Sequence, residues 1–416
     1  MKIKLAHPFT SLRKSYFRWR YWHCIYKNMV MYTEKETEKR KKEELIPYIN
    51  KPGIAFSFDD SYRVKDWTVF GKELFGYYDV KVTFNINGIH PFEERRKHTQ
   101  NEIDMLIELQ SNGHEIAHHG FNHRKATTYS REFGIDKWLE DEVESLFHWM
   151  KDQMHSTTKE RFRKPVTFAF PNFMYAKKHV NALVPSYFKL VRGHLENDNL
   201  CNFNSSGLTP SISLDGYYSC NLFYLKKIMK FAKKSGKNIM FTCHSILPEE
   251  VKWDKFGWGE TAAKSGKWRI SPRVLKTIIK EAKKNDLEFY TASEIAGIAN
   301  FIDVNFEKAV RELLPDPNKK WIEISELLEI KKLNLFDKNI SNLDGVQYFL
   351  NLEEINIEKN QISDLRLLMQ LPKLKKIMTV QNVGTSKKLQ KRNLGLLSQL
   401  LFLVLIRLVC IWEYSL

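Results

Sequence analysis

Residues 55–62 read AFSFDDSY, an apolar segment that ends in two adjacent carboxylates, Asp59 and Asp60. Neighbouring residues of a strand point to opposite faces, so both acids can serve one site only where the strand ends and the backbone turns. Two carboxylates placed there repel each other unless a cation lies between them. The stretch therefore predicts a buried strand with a cation-binding site at its carboxyl end.

Similar apolar runs recur between residues 53 and 300 and alternate with helical patterns. The predicted strands are GIAFSF, VKVTFNI, HEIAHH, PVTFAF, FKLVRG, NIMFTCH and LEFYTA, and the clearest helices are NEIDMLIELQSNG and SPRVLKTIIKEAKKND. Alternation of strand and helix predicts a mostly parallel sheet or barrel. In such folds the reactive side chains lie at the carboxyl ends of the strands.

Composition limits the functional class. The chain has 416 residues, 43% of them hydrophobic, which is enough to build a substantial core, and a net charge of +17. A basic chain favours acidic partners, but no basic stripe with interleaved aromatics extends beyond the first 50 residues, so we do not expect nucleic-acid binding. Five cysteines without a C-x-x-C pair favour a reducing compartment, and the N-terminus lacks the apolar core of a secretory signal. These features predict a cytoplasmic protein.

Residues 113–123, GHEIAHHGFNH, contain two overlapping histidine pairs. His114 and His118 form H-E-x-x-H, which in zinc proteases lies on a long helix with the glutamate, here Glu115, as general base. Glycines flank this pair and the preceding helical pattern stops before it, so HEIAH is better interpreted as a strand. The protease interpretation is therefore disfavoured.

The second pair, His119 and His123, has a carboxylate partner in Asp60. Two histidines and one carboxylate with open positions suit Zn²⁺, Co²⁺ or Fe²⁺. A divalent metal bound by Asp60, His119 and His123 would be the cation that the adjacent acids require. The spacing thus favours a metal site over a solvated acidic turn.

Together these segments resemble the polysaccharide deacetylases of the NodB-homology type, carbohydrate esterase family 4. The family motif T-F-D-D-G is similar to residues 57–61, H-[ST]-x-x-H is similar to residues 119–123, and the late L-x-x-H motif is matched by His244 in MFTCHSI. The resemblance covers roughly residues 50 to 300 in order. It implies a distorted (β/α) barrel and a metal-dependent hydrolase that removes acetyl groups from a carbohydrate.

The resemblance also implies roles for individual residues. Asp59 would be the general base that activates the attacking water, and His244 would protonate the leaving group. The backbone N–H of Asn172 would stabilise the oxyanion. The metal, with Zn²⁺ expected first and Co²⁺ as another possibility, would be held by Asp60, His119 and His123.

Three departures from the family pattern bear on activity. The third motif, R-x-P-[FY], corresponds to AFPN at residues 169–172, so its arginine is absent; Arg192 and Arg163 are candidates to replace it. The fourth motif, with Asp and Trp, is not recognisable, and Gly120 replaces a Ser or Thr. Two functions therefore stay open: an enzyme that removes acetyl groups, expected to be N-acetyl, from a glycan or glycan precursor, or a catalytically degenerate deacetylase fold that binds glycan or serves as a scaffold.

A different pattern begins near residue 327, where positions 22 apart repeat, as in Leu333, Ile355 and Ile377. LNLFDKNISNL and INIEKNQISDL are successive units, and this period is typical of leucine-rich repeats, which could recruit a protein partner. An Asn such as Asn360 satisfies backbone groups of the turn, and Lys338 takes this position in the first, atypical unit. The predicted organisation is a basic aromatic leader at 1–50, the barrel at 51–300, a linker at 301–326, the repeats at 327–384 and a basic, then hydrophobic tail at 385–416. Within that tail residues 394–412 are almost wholly apolar, so membrane association is possible there.

Overall fold

The computed structural model describes residues 12, 15–16, 18–27, 51–90, 95–194, 207–216, 220–251 and 268–379. The chain divides into two compact units, residues 1–298 and 299–416. The hydrophobic tail and most of the leader lie outside the described residues. Within the described part of the chain, no helix combines the length and the apolar character needed to cross a membrane.

The first unit is built on a closed ring of seven parallel strands. Neighbouring strands pair in chain order, and the ring closes because β1 pairs with both β2 and β7. The predicted distorted (β/α) barrel is therefore confirmed. The strands are β1 (Gly53–Asp59), β2 (Thr83–Ile86), β3 (Glu115–His118), β4 (Thr167–Ala169), β5 (Leu190–His194), β6 (Gly207–Ser213) and β7 (Ile239–Cys243).

Three short strands supplement the ring. β8 (Ser245–Ile246) pairs with β9 (Arg269–Ile270) just beyond the carboxyl end of β7, and β10 (Glu288–Phe289) pairs with the start of β1. The α-helices of this unit are Val64–Asp66, Lys72–Tyr78, Gln100–Ser111, Ala126–Phe133, Ile135–Trp138, Ser145–Asp152, Lys177–Leu183, Leu222–Ser235, Pro272–Lys284 and Ala292–Ile295. Two π-helical segments, Trp67–Gly71 and Leu139–Glu144, and two 3₁₀ turns, Ser61–Arg63 and Pro171–Phe173, complete it.

Strand β6 was not predicted from the sequence. Its residues, GLTPSIS, include a glycine, a proline and two serines, which are poor strand formers and give no apolar run. Pairing with β5 and β7 on both sides nevertheless holds it in the ring. Because its neighbours determine its conformation, local sequence could not reveal it.

Aromatic side chains fill the space between the strands and the surrounding helices. Phe56, Phe58, Phe84 and Trp67 are completely buried, and ring centroids of Phe58 and Phe84 lie 5.6 Å apart. The helical residues 18–27 of the leader also contribute to this core, since Trp22 is completely buried within it. This part of the leader packs as a component of the barrel.

The second unit contains three short parallel strands in register. β11 (Lys332–Asn334), β12 (Glu354–Asn356) and β13 (Lys376–Met378) pair so that residues 22 apart stand side by side. The amide of buried Asn360 accepts hydrogen bonds from the N–H groups of Lys338 and Ile340 and donates to the carbonyl of Leu335. The side chain thus links two successive coils, as the sequence period predicts.

Residues 301–326, which the sequence predicts as a linker, begin this unit instead. They contain the helices Val304–Arg311 and Ile324–Leu327, and Phe301 and Phe306 are buried. Buried aromatic side chains give this segment packing that a linker does not have. Two 3₁₀ turns, Val346–Tyr348 and Arg366–Gln370, connect the coils.

Candidate metal and catalytic site

The two carboxylates lie where β1 ends. Asp59 is the last residue of β1, and Asp60 follows it in a left-handed conformation, with φ 74° and ψ 87°. Both side chains are buried. A non-glycine residue rarely adopts this conformation, and the turn it makes is what allows two consecutive acids to face one space.

Asp60 meets both histidines of the second pair. Its Oδ1 atom lies 3.2 Å from Nε2 of His123 and 3.6 Å from Nε2 of His119. The three ligand atoms all lie within 4.8 Å of one another. His119 follows β3 directly, and His123 reaches back because it too has a positive φ of 58°. The structure therefore brings together the three residues predicted as metal ligands.

The chemistry of these side chains fits a divalent cation. Asp60 Oδ1 is buried and accepts no hydrogen bond from any described residue, whereas Oδ2 accepts one from the Tyr62 hydroxyl. The Nδ1 atom of His119 lies 2.8 Å from the carbonyl oxygen of Ala169, so it carries the proton and leaves Nε2 with a free lone pair. Burial lowers the pKa of His119 to about 4, which keeps the imidazole neutral as a ligand must be.

Charge around Asp60 favours its ionised form. Burial by itself would raise the pKa of this carboxyl, but His123 and Arg63 lower it well below its ordinary value. Arg63 lies in the 3₁₀ turn after Asp60, is buried, and approaches Oδ2 with Nε at 3.4 Å. It also donates to Ser245 and to the carbonyl of Trp268, so the arginine is fixed from two sides.

Asp59 is held by residues from other strands. The guanidinium of Arg192 on β5 binds both carboxylate oxygens, at 2.8 and 2.7 Å, and Asn85 on β2 donates to Oδ1 at 2.9 Å. Arg192 reaches across the barrel interior and also contacts Thr242 on β7. The arginine missing from the third motif is thus replaced from the next strand, while the backbone N–H of Arg163 bonds Gln110 in a loop elsewhere.

His244 follows β7 and pairs with a carboxylate that sequence reasoning missed. Its Nδ1 atom lies 2.8 Å from Oδ2 of Asp215, and its backbone N–H donates to Oδ1 of the same residue. Burial lowers the pKa of His244, but the charge and hydrogen bond of Asp215 outweigh burial and raise it above the ordinary value. Asp215 follows the unpredicted strand β6. No tryptophan lies beside it in the sequence, so the family's fourth motif could not be recognised there.

Asn172 lies in the 3₁₀ turn after β4. Its side chain is exposed, and its backbone is left-handed, with φ 54° and ψ 16°. The neighbouring Phe173 ring lies 5.3 Å from the Arg192 guanidinium carbon. The strained turn therefore lies beside the arginine that holds Asp59, and its role in stabilising an oxyanion stays a prediction.

Gly120 is required by its surroundings. It has a φ of 77°, and a Cβ atom there would lie 2.7 Å from Oε2 of Glu142. That carboxylate accepts hydrogen bonds from the N–H groups of Asn122 and Arg124, within the loop that carries His123. Glu142 therefore supports the loop in the space that a Ser or Thr side chain would need.

The other histidine pair lies within and before β3, not on a helix. His118 contacts the carbonyl of Val143 through Nε2 and accepts the N–H of Gly120 at Nδ1. Glu115 accepts hydrogen bonds from the hydroxyls of Thr83 and Thr167 and from the backbone N–H of Ser293. His118 and Glu115 therefore have structural roles. Because they lie on a strand, they do not form the helical H-E-x-x-H site of a zinc protease, and that interpretation is excluded.

Residues 49–183 match the sequence model of the family described as polysaccharide deacetylase. A search of curated proteins found no match. The match covers β1 to β4 and includes Asp59 and the candidate ligands Asp60, His119 and His123. It confirms the predicted polysaccharide deacetylase domain and, with it, a hydrolase of the carbohydrate deacetylase class.

Solved structures give weak overall similarity. The Xyl-CE4 domain of a multidomain xylanase from the hindgut metagenome of Trinervitermes trinervoides is 16% identical, over 59% of this chain and 90% of that one, with a TM-score of 0.35. A putative polysaccharide deacetylase from Mycobacterium smegmatis is 15% identical over the same shares, with a TM-score of 0.36. An internalin from Listeria monocytogenes is 27% identical over 20% of this chain and 24% of that one, with a TM-score of 0.19.

Proposed function

We propose that this protein hydrolyses N-acetyl groups of a sugar within a glycan or a glycan precursor, with Asp59 as base and His244 as acid. One observation carries the proposal: Asp59, fixed by Arg192, borders the Asp60 cluster, with its Oδ2 atom 4.0 Å from Nε2 of His119. A base held next to a cation site is the arrangement that hydrolysis of an amide requires.

Asp60, His119 and His123 would hold the cation, with Zn²⁺ as the first candidate and Co²⁺ as the second. When bound, the cation supplies Lewis acidity that polarises the acetyl carbonyl and the attacking water. Arg192 and Asn85 keep the Asp59 carboxylate in a single orientation, so that it can accept the proton of that water. The backbone N–H of Asn172 would donate to the developing oxyanion.

His244 is suited to give a proton to the departing amine. Asp215 occupies its Nδ1 atom, so Nε2 is the atom available to a substrate. The raised pKa keeps a larger share of the imidazole protonated near neutral pH. Asp59 and His244 then act at opposite stages, one taking a proton from water and the other delivering one to nitrogen.

The alternative, a degenerate fold that only binds glycan, rested on the missing arginine of the third motif. The Nη2 atom of Arg192 contacts both oxygens of Asp59 and can tether the proposed base in its place. Asp59, His244 and the three candidate ligands carry the side chains that such a hydrolysis needs. These contacts favour the enzyme.

The proposal is tested by acetate release from a panel of N- and O-acetylated oligosaccharides. Three samples are compared: the protein as purified, the protein after chelation, and the chelated protein after addition of Zn²⁺ or Co²⁺. We expect release from N-acetylated substrates that disappears on chelation and returns with metal. A folded, metal-loaded protein that binds these oligosaccharides without releasing acetate would establish the degenerate fold instead.

We also propose that the 22-residue coils are leucine-rich repeats that bind a protein partner in the cytoplasm. Phe336 and Ile377 support this, since 40% and 42% of their surface is exposed on the coils. Capture experiments with the full chain should recover a partner that the variant Phe336→Ser, Ile377→Ser loses. Equal recovery by both proteins would contradict the role of this surface.

A further inference from the structure

The helix Leu222–Ser235 has a lysine-rich outer face. Lys226, Lys227, Lys230, Lys233 and Lys234 are all exposed, and the helix contains no acidic residue. Its opposite side, with Leu225, Ile228 and Met229, is buried in the core. The helix therefore presents a row of positive charge along its whole length.

A second basic helix lies beside the first. Pro272–Lys284 exposes Arg273, Lys276, Lys280, Lys283 and Lys284, and its single acid, Glu281, lies 3.6 Å from Lys226 of the neighbouring helix. Arg273 pairs with Glu249 at 3.1 Å. We call these ten exposed lysine and arginine side chains the basic face.

Charge is distributed unevenly around the barrel. The helix Gln100–Ser111 contains Glu102, Asp104 and Glu108 and no basic residue. The two basic helices thus carry a local concentration of positive charge that the helix Gln100–Ser111 does not share. A concentrated basic surface attracts a polyanion far more strongly than the same charge dispersed.

Exposed aromatic side chains adjoin the basic face. In the leader helix, 59% of Tyr16 and 48% of Trp19 is exposed, and Trp19 stacks on His23 with ring centroids 4.9 Å apart. His23 contacts Tyr224 at the start of the lysine-rich helix, where 61% of Phe223 is exposed. We call these rings, which the buried Tyr224 links, the aromatic strip; it leads from the leader to the lysines.

Lysine and aromatic side chains interleave where the strip meets the helix, so the expectation that such a pattern stops within the first 50 residues is wrong. The Lys227 ammonium lies 4.3 Å from the centroid of the Phe223 ring and 5.3 Å from that of Tyr26. Aromatic rings with neighbouring cations are typical of surfaces that lie at the boundary between lipid headgroups and acyl chains. Double-stranded nucleic acid offers phosphate to the lysines but no apolar layer to the rings.

We propose that the basic face and the aromatic strip bind the surface of a bilayer rich in anionic phospholipid. The lysines would approach the phosphate and carboxylate groups, while Trp19 and Phe223 would enter the headgroup layer. Each basic residue near an anionic membrane strengthens binding by roughly fivefold. The barrel would thereby be held at a membrane by a surface distinct from its metal cluster.

The test uses the full chain and co-sedimentation with two kinds of vesicle: phosphatidylcholine alone, and one part phosphatidylserine to three parts phosphatidylcholine. The variant Lys227→Glu, Lys230→Glu, Lys234→Glu reverses three charges of the basic face. The control, Lys151→Glu, Lys159→Glu, Lys178→Glu, makes the same change of net charge at exposed lysines on other helices and loops. Circular dichroism verifies that each variant is folded.

We expect the wild type and the control to bind the phosphatidylserine vesicles, with an affinity that falls as salt is added. The Lys227, Lys230 and Lys234 variant should bind on the order of a hundredfold more weakly. Trp19→Ser with Phe223→Ser should weaken binding at all salt concentrations, because insertion of the rings is not screened.

Three results would overturn the proposal. Equal loss in the control would mean that net charge alone matters. Binding to pure phosphatidylcholine that survives charge reversal would assign attachment to the apolar residues 394–412. Tighter binding to a double-stranded DNA oligonucleotide than to the anionic vesicles, lost in the same charge-reversal variant, would identify the basic face as a nucleic-acid surface.

Discussion

Each end of the barrel buries a carboxylate. Both oxygens are hydrogen-bonded at the amino end, whereas one oxygen lacks a hydrogen bond at the carboxyl end. At the amino end, Glu115 accepts hydrogen bonds from Thr83, Thr167 and Ser293, so both of its oxygens are occupied. At the carboxyl end, Oδ1 of Asp60 is buried without any hydrogen bond from the described residues and faces two histidines. Burial raises the pKa of Glu115, whereas neighbouring cations lower that of Asp60.

This difference distinguishes a carboxylate that stabilises the fold from one that is available to bind a ligand. A buried polar atom with its bonds complete stabilises the fold, while one that is left without a partner costs free energy unless something else binds it. The same distinction divides the overlapping histidines: both ring nitrogens of His118 contact backbone atoms, but His119 keeps Nε2 open. The carboxyl end of the barrel, where Oδ1 of Asp60 and Nε2 of His119 stay open, is therefore the end suited to bind a ligand.

Asp59→Asn should have the largest effect on the carboxyl end. An amide cannot accept the proton of the attacking water, so we expect the rate of acetate release to fall by about 10²–10⁴-fold. Metal content should remain that of the wild type, because Asp59 is not among the three ligands. Glu115→Gln serves as the control at the amino end and should leave the rate nearly unchanged. Retention of activity in the Asp59 variant would remove this residue from the mechanism.

Arg192→Lys should lower kcat by about 10–100-fold, as loss of a residue that orients a catalytic group usually does. A lysine keeps the positive charge but lacks the second terminal nitrogen, Nη1, which donates to Ser211 and Thr242 while Nη2 holds Asp59. Arg163→Lys is the matched control, since Arg163 lies outside the site. An equally small effect of both substitutions on kcat would show that holding Asp59 through the Arg192 guanidinium has no catalytic consequence.

Arg63→Gln tests how Asp60 is positioned. Arg63 contacts Oδ2 and turns Oδ1 toward the histidines, so we expect the Kd for Zn²⁺ to rise by about tenfold. A competition titration with a chromogenic chelator measures this directly. Arg124→Gln, at a half-exposed arginine in the loop that carries His123, is the control. Tighter binding in the Arg63 variant would mean that its positive charge repels the metal more than its contact helps.

Much of this site could be predicted because its signals are local. Asp59 and Asp60 directly end an apolar strand, and His119 and His123 share one short loop. Each pair can therefore be recognised from a few consecutive residues of the sequence. His244, the proposed acid, likewise ends the predicted strand NIMFTCH and directly follows β7. The resemblance to a deacetylase family joined these segments into one barrel.

The remaining contacts depend on distant parts of the chain. Arg192 and Asp59 are 133 positions apart, and sequence alone left Arg192 and Arg163 equally eligible. Asp215 went unnoticed because it follows β6, whose glycine, proline and serines conceal a strand held by its neighbours. The leader shows the same limit, since nothing local indicates that Trp22 enters the core.

The contribution of Glu142 to the pH dependence of stability should be the smallest of these effects. Burial lowers the pKa of His114 and His118 to about 3 and that of His119 to about 4, so they contribute stability above their unfolded value of 6.5, which is lost as pH falls towards 4 and 3. Burial raises the pKa of Glu142 to about 7, so its contribution is fully present below 4.5 and is lost as pH rises through 7. The glutamate therefore opposes the histidines between pH 4.5 and 6.5.

Urea unfolding of the metal-free protein at pH 7, 6, 5 and 4 measures this balance. The free energy of unfolding should fall on acidification, and it should fall more steeply in Glu142→Gln, by at most about 1.4 kcal/mol per pH unit for one proton. Gln100→Glu, at an exposed position, should keep the wild-type slope. An unchanged slope in the Glu142 variant would show that this carboxyl does not titrate in the range given.

The most direct test of the account is the metal content of three proteins: the wild type, His119→Ala and Glu115→Gln. Each is loaded with Zn²⁺, freed of excess ion and analysed for bound metal per chain, with circular dichroism to verify folding. The account predicts one ion in the wild type, one in Glu115→Gln and none in His119→Ala. A folded His119→Ala protein that retains its ion, or a Glu115→Gln protein that loses it, would place the metal elsewhere and contradict the assignment.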